Sequence, residues 1–121
     1  MKSVDCPYVR VAIPYGHASI ARHFYRGVLG LEEIEPSTIV ETGGLCFRCG
    51  SLRLHVVPDV LFSATATAHA TFMVDNLEAL VVRMLAAGHR SSVIGPRGRP
   101  HCCHTLDPFR NHLEFMQAPP R

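Results

Sequence analysis

The sequence has 121 residues, about one domain's worth. Its 47% of hydrophobic residues against 18% charged supply enough apolar surface to offset the entropy of ordering the chain, which excludes wholesale disorder. A formal charge of +2 and the absence of tryptophan leave no basic stripe with interleaved aromatics, and no apolar run approaches the ~18–20 residues of a spanning helix. Neither nucleic acid nor membrane is therefore an expected partner. The start Met1-Lys2-Ser3-Val4-Asp5 lacks the apolar stretch of a signal peptide, which predicts a cytoplasmic location and reduced thiols for the five cysteines.

In chain order, Val9–Ile13 alternates like a half-buried strand and ends at the turn Pro14-Tyr15-Gly16. From about His17 to Leu29 the apolar residues Ile20, Ala21, Phe24, Val28 and Leu29 predict an amphipathic helix closed by Gly30. A short strand at Leu31–Ile34, a loop around Pro36-Ser37 and a hairpin of Leu45–Cys49 with Leu52–Val57 across Gly50-Ser51 follow. The same order then restarts: strand His69–Val74, helix Leu77–Ala87 with Gly88, strand Arg90–Ile94, and two strands either side of Asp107-Pro108.

This is an internal repeat. His55 lies 25 residues after Gly30 and Glu114 lies 26 after Gly88, while Tyr8 and His69 open the two halves. The expected architecture is an α+β single domain spanning 1–121, built from two βαβββ modules at about 5–58 and 68–117, with Pro58–Ala68 as the link.

Strand parity then sorts the side chains. If Val9, Val11 and Ile13, Leu52, Leu54 and Val56, Ala70, Phe72 and Val74, and Leu113 and Phe115 lie under the helices, the opposite faces carry Tyr8, Arg10, Arg53, His55, His69, His112 and Glu114. Few convergent polar groups among Ala, Val, Thr and Met suit a concave pocket for a small molecule. The repeat makes His55 equivalent to Glu114, and Tyr8 to His69, so a pseudo-twofold axis would draw the four toward one centre.

The stretches Ala21-Arg22-His23-Phe24-Tyr25-Arg26-Gly27-Val28-Leu29-Gly30-Leu31, Leu52-Arg53-Leu54-His55-Val56, His69 to Leu77, Leu85-Ala86-Ala87-Gly88 and Asp107-Pro108-Phe109-Arg110-Asn111-His112-Leu113-Glu114-Phe115 together carry a resemblance. In this order the chain resembles the vicinal oxygen chelate superfamily of glyoxalases, bleomycin-resistance proteins and extradiol dioxygenases. The resemblance implies paired βαβββ modules in a cupped mixed sheet, commonly in homodimers, with a divalent metal held at the positions of Tyr8, His55, His69 and Glu114. Histidine and carboxylate suit Zn, Ni, Mn or Fe(II), whereas tyrosine is a reluctant ligand. Arg110 stands where the family often has glycine, so a differently shaped loop is expected there.

Two functions follow. In the enzymatic one, His55, His69 and Glu114 hold a metal that polarises a substrate oxygen, with Glu114 catalytic, as in a glyoxalase-type lyase or isomerase; a dioxygenase is less favoured because such enzymes usually repeat the whole domain. In the other, the cup binds a small molecule or antibiotic without metal or turnover. Tyr8, Arg10, Arg53 and His112 are the expected ligand contacts, Tyr8 standing beside the metal as a hydrogen-bond donor or weak fourth ligand in the enzymatic reading. Cys46-Phe47-Arg48-Cys49, with Cys102-Cys103-His104, has loose zinc or redox spacing and is read instead as half-buried thiols. His17, His23 and His89 are expected to face solvent, and Arg97-Gly98-Arg99 to form an exposed loop.

Overall fold

The computed structural model describes residues 8–34, 44–63 and 69–120. Cys6, the loop expected around Pro36-Ser37, residues 64–68 of the link and the side chain of Tyr8 lie outside the described residues. The first module contains β1 (Tyr8–Pro14), α1 (Ala18–Arg22) continued by a π-helical turn (His23–Val28), β2 (Glu32–Ile34), β3 (Leu45–Cys49) and β4 (Leu52–Asp59). The second contains β5 (His69–Val74), α2 (Leu77–Ala86), β6 (Ser92–Ile94), β7 (Cys102–Leu106) and β8 (His112–Gln117). Each forms a four-stranded mixed sheet of one topology, β1-β4-β3-β2 and β5-β8-β7-β6, with the outer first strand parallel to the fourth. The sequence repeat is thus a structural repeat, an α+β fold of two βαβββ modules.

Alternation decides which face each strand buries. Val11 and Ile13, Leu54 and Val56, Ala70 and Phe72, and Leu113 and Phe115 all enter one cluster together with Ala21, Phe24, Tyr25 and Leu29 of the first helix and Leu77, Leu80 and Met84 of α2. At roughly 1.5–3 kcal/mol for each large apolar side chain fully removed from water, this shared core is the main force holding the modules together. The spacing of Leu77, Leu80 and Met84 is that of one helix face, and Asn76 starts α2 by accepting from the Ala79 N–H at 3.0 Å.

The first helix departs from expectation. Where one regular amphipathic helix over His17–Leu29 is predicted, the hydrogen bonding slips after Arg22, and the Leu29 N–H reaches Phe24 O at 2.9 Å. The wider turn rotates the buried face. Ile20, expected inside, is 45% exposed, and Tyr25 is fully buried. Strand β6 is shorter than Arg90–Ile94, and all three of its residues are exposed.

Contacts across the modules are specific as well as apolar. Gly30 has φ +75°, and a Cβ there would come within 2.6 Å of the Arg83 guanidinium of α2, so glycine permits both the turn and the approach. His89 is half-buried rather than solvent-facing: its ring lies 4.8 Å from that of Phe24 and its Nε2 is 2.9 Å from Leu106 O. The Tyr25 hydroxyl donates to Asp107 Oδ2 at 2.7 Å, tying the first helix to the β7–β8 turn. In that turn Asp107 Oδ1 accepts from the Phe109 and Asn111 N–H groups, both at 2.8 Å, and Asn111 Nδ2 donates to Ala12 O of β1 at 2.9 Å. Arg110 has φ +76°, so it takes up the left-handed conformation that glycine favours. No helix among the described residues is long and apolar enough to cross a membrane.

Candidate functional site

The two sheets display their polar residues in matching register. Across β1 and β4, Tyr8 stands beside Arg53 and Arg10 beside His55; across β5 and β8, His69 stands beside His112 and Thr71 beside Glu114. Thus Tyr8 corresponds to His69, Arg53 to His112, Arg10 to Thr71 and His55 to Glu114. The faces that bear these residues lie opposite the shared core, because Leu54, Phe72, Leu113 and Phe115 occupy the alternate positions.

On the second sheet the face is open. His69 and His112 are exposed and their rings stack with centroids 6.0 Å apart. Glu114 is half-buried, and its Oε1 accepts from Thr71 Oγ1 at 3.0 Å. On the first sheet Arg10 is exposed and Arg53 half-buried, but His55 is only 6% exposed, with Val57 and Cys46 nearly inaccessible beside it. Burial, and secondarily the Arg53 charge, hold the His55 imidazole below its ordinary pKa, so the ring is neutral at pH 7.

A single chain does not gather the expected donors. His55 lies on the face of the first sheet opposite Leu54 and Val56, and His69 and Glu114 on the face of the second opposite Phe72 and Phe115, and the three do not form a group within metal-ligand reach. Among the described residues, the group of three metal-type donors that does converge is Cys102, His104 and Glu114, with ligand atoms within 4.8 Å of one another. Cys102 and His104 stand two apart on β7, and His104 pairs directly with Glu114 on β8. Their loose spacing reads in the sequence as ordinary thiols, because the third donor, Glu114, is supplied by the β7–β8 register; the C-x-H alternation in a strand is the available signal.

The other thiols among the described residues are inert by position. Cys46, Cys49 and Cys103 are buried rather than half-buried, and desolvation pushes Cys49 and Cys103 up to about 11. Cys46 and Cys49 point to opposite faces of β3, as a strand requires, so they form no knuckle. An open groove of about 1040 Å³ between the C-terminal end of α2 and β6–β7, bordered by Leu85, Arg90, Val93 and His104, contains none of His55, His69 or Glu114.

No family profile and no curated protein matches the sequence. Solved structures do. A protein from Bacillus anthracis assigned to the glyoxalase family is 29% identical, with 98% of this chain and 97% of that one covered at a TM-score of 0.76. An antibiotic binding protein from Streptomyces sp. CB03234 is 17% identical over 98% and 99% of the two chains, with a TM-score of 0.69. A lactoylglutathione lyase from Agrobacterium tumefaciens is 18% identical over 97% and 96%, with a TM-score of 0.66. The paired βαβββ modules give this chain the fold shared by these glyoxalase-family, antibiotic-binding and lyase structures, in line with the resemblance of its five sequence landmarks to the vicinal oxygen chelate superfamily.

Proposed function

We propose that the protein is a glyoxalase-type lyase or isomerase of the cytoplasm, working as a homodimer with a divalent metal at His55, His69 and Glu114. The matched register of the two sheets carries this reading: three of its four equivalent positions hold imidazole or carboxylate donors. Their chemistry suits a divalent ion. His55 is kept neutral and so offers a lone pair, and Thr71 fixes Glu114 Oε1 while Oε2 lies 3.4 Å from His104 Nε2. Because His55, His69 and Glu114 do not converge within one chain, the site is completed when the first sheet of one copy meets the second sheet of another.

Zn, Ni, Mn or Fe(II) bound there supplies Lewis-acid polarisation of a substrate oxygen. The protein's own groups do the rest. Glu114 accepts and returns a proton at Oε2, the oxygen that faces His104 rather than Thr71, and Arg10 and Arg53 orient an anionic part of the substrate. His112, stacked on His69, and Tyr8 border the ligand. One observation favours the non-catalytic reading: Arg10, Arg48 and Arg53 share the face of His55, which suits an anionic ligand better than a cation.

The test combines light scattering with metal titration of chelator-treated protein. A dimer is expected, with a stabilisation of about 2.7 kcal/mol at a metal concentration 100 times Kd, and lactoylglutathione lyase activity is the first to assay. With Mn²⁺ as the titrant, His55→Ala and His69→Ala should each abolish the metal-dependent gain. A monomer, or a gain insensitive to both substitutions, rejects the metal site and leaves a binding protein.

A further inference from the structure

We infer that Cys102, His104 and Glu114 form a zinc site within one sheet, separate from the proposed intersubunit site apart from its use of Glu114. The donors stand on adjacent antiparallel strands, Cys102 and His104 on one face of β7 and Glu114 directly opposite His104 on β8. A single atom, His104 Nε2, lies 3.8 Å from Cys102 Sγ and 3.4 Å from Glu114 Oε2. Tetrahedral zinc, with bonds of about 2.3 Å to sulfur and about 2.0–2.1 Å to nitrogen and oxygen, sets sulfur and nitrogen about 3.5 Å apart and nitrogen and oxygen about 3.3 Å apart. The pairs through Nε2 are therefore already close to ligand spacing.

Two further features suit an ion. Thr71 Oγ1 donates to Glu114 Oε1 at 3.0 Å and so turns the other oxygen, Oε2, toward His104, the arrangement by which an outer partner orients a ligating carboxylate. The His104 and Glu114 side chains are 47% and 23% exposed, so a metal has access and a fourth position is open to water. One thiol, one imidazole and one carboxylate select zinc over magnesium, calcium or manganese, which prefer all-oxygen sets. Without metal the same geometry reduces to a His104–Glu114 ion pair beside an idle thiol, and the experiment separates the two.

Chelator-treated, reduced protein is titrated with Zn²⁺ by calorimetry and with Co²⁺ by absorption spectroscopy, in wild type and in the Cys102→Ser, His104→Ala, Thr71→Val and His69→Ala variants. One zinc per chain and a thiolate-to-cobalt charge-transfer band are expected. Cys102→Ser should remove the band, and both it and His104→Ala should weaken zinc by at least about a hundredfold, while Thr71→Val weakens it by about tenfold. His69→Ala should retain both band and affinity, which it would not do if the metal sat at the intersubunit site. Absence of the band in wild type, its survival in Cys102→Ser, or its loss in His69→Ala overturns the inference. Unchanged circular dichroism of Cys102→Ser and His104→Ala shows that a loss is not one of folding.

Discussion

Tyr25→Phe removes one oxygen from the centre of the molecule and leaves the ring in place. The hydroxyl lost is one of four donors to Asp107, a residue only 4% exposed; Phe109 N, Asn111 N and Asn111 Nδ2 remain at 2.8, 2.8 and 2.9 Å. Hydrogen bonds to charged groups contribute about 1.5–3 kcal/mol, and with three donors surviving the lower half applies, so a loss of about 1.5–2 kcal/mol is expected. For a chain of this size that is roughly 6–8 °C in Tm, and urea unfolding should show a lower midpoint at unchanged slope. Burial, reinforced by Asp107, pushes the Tyr25 phenol well above its ordinary 10. A raised acid contributes stability that is present below pH 10 and lost as pH climbs toward the folded pKa, so the alkaline loss should be smaller in the variant than in wild type, the remainder belonging to the buried Cys49 and Cys103 thiols. Stability within 0.5 kcal/mol of wild type, with the alkaline loss undiminished, would refute the idea that this bond ties the modules together.

Arg110→Gly should stabilise by about 0.5–1 kcal/mol, since relief of a left-handed side-chain residue, about 1–2 kcal/mol, exceeds the entropy glycine adds to the unfolded chain; thermal melts check this, and a lower Tm contradicts it. With chelator present, wild-type stability should fall as pH drops below 6.5, because a buried histidine with a lowered pKa resists the proton that the unfolded chain accepts. His55→Gln should flatten that fall in urea midpoints measured between pH 8 and pH 5, and an equal fall in both proteins rejects the assignment.

Much of the architecture is written in local patterns. The two-residue alternation of β4, β5 and β8 and the repeated order about Gly30 and Gly88 determine the modules, the buried faces and the equivalence of His55 with Glu114, because strand parity and helix capping act over a few residues. What escaped was set by longer-range terms. Periodicity placed Ile20 inside and overlooked Tyr25, since the π-helical turn that exchanges them is held by packing against the second module and by Asp107, 82 residues away. Arg110 kept a glycine's conformation because the Asp107 and Asn111 hydrogen bonds hold the turn around it. The sequence by itself could list donors on polar faces, but not which ones meet. Antiparallel register brought Glu114 to His104 and Cys102, and His55 is not among the donors that converge there, because partners across strands are fixed by pairing between residues distant in the chain.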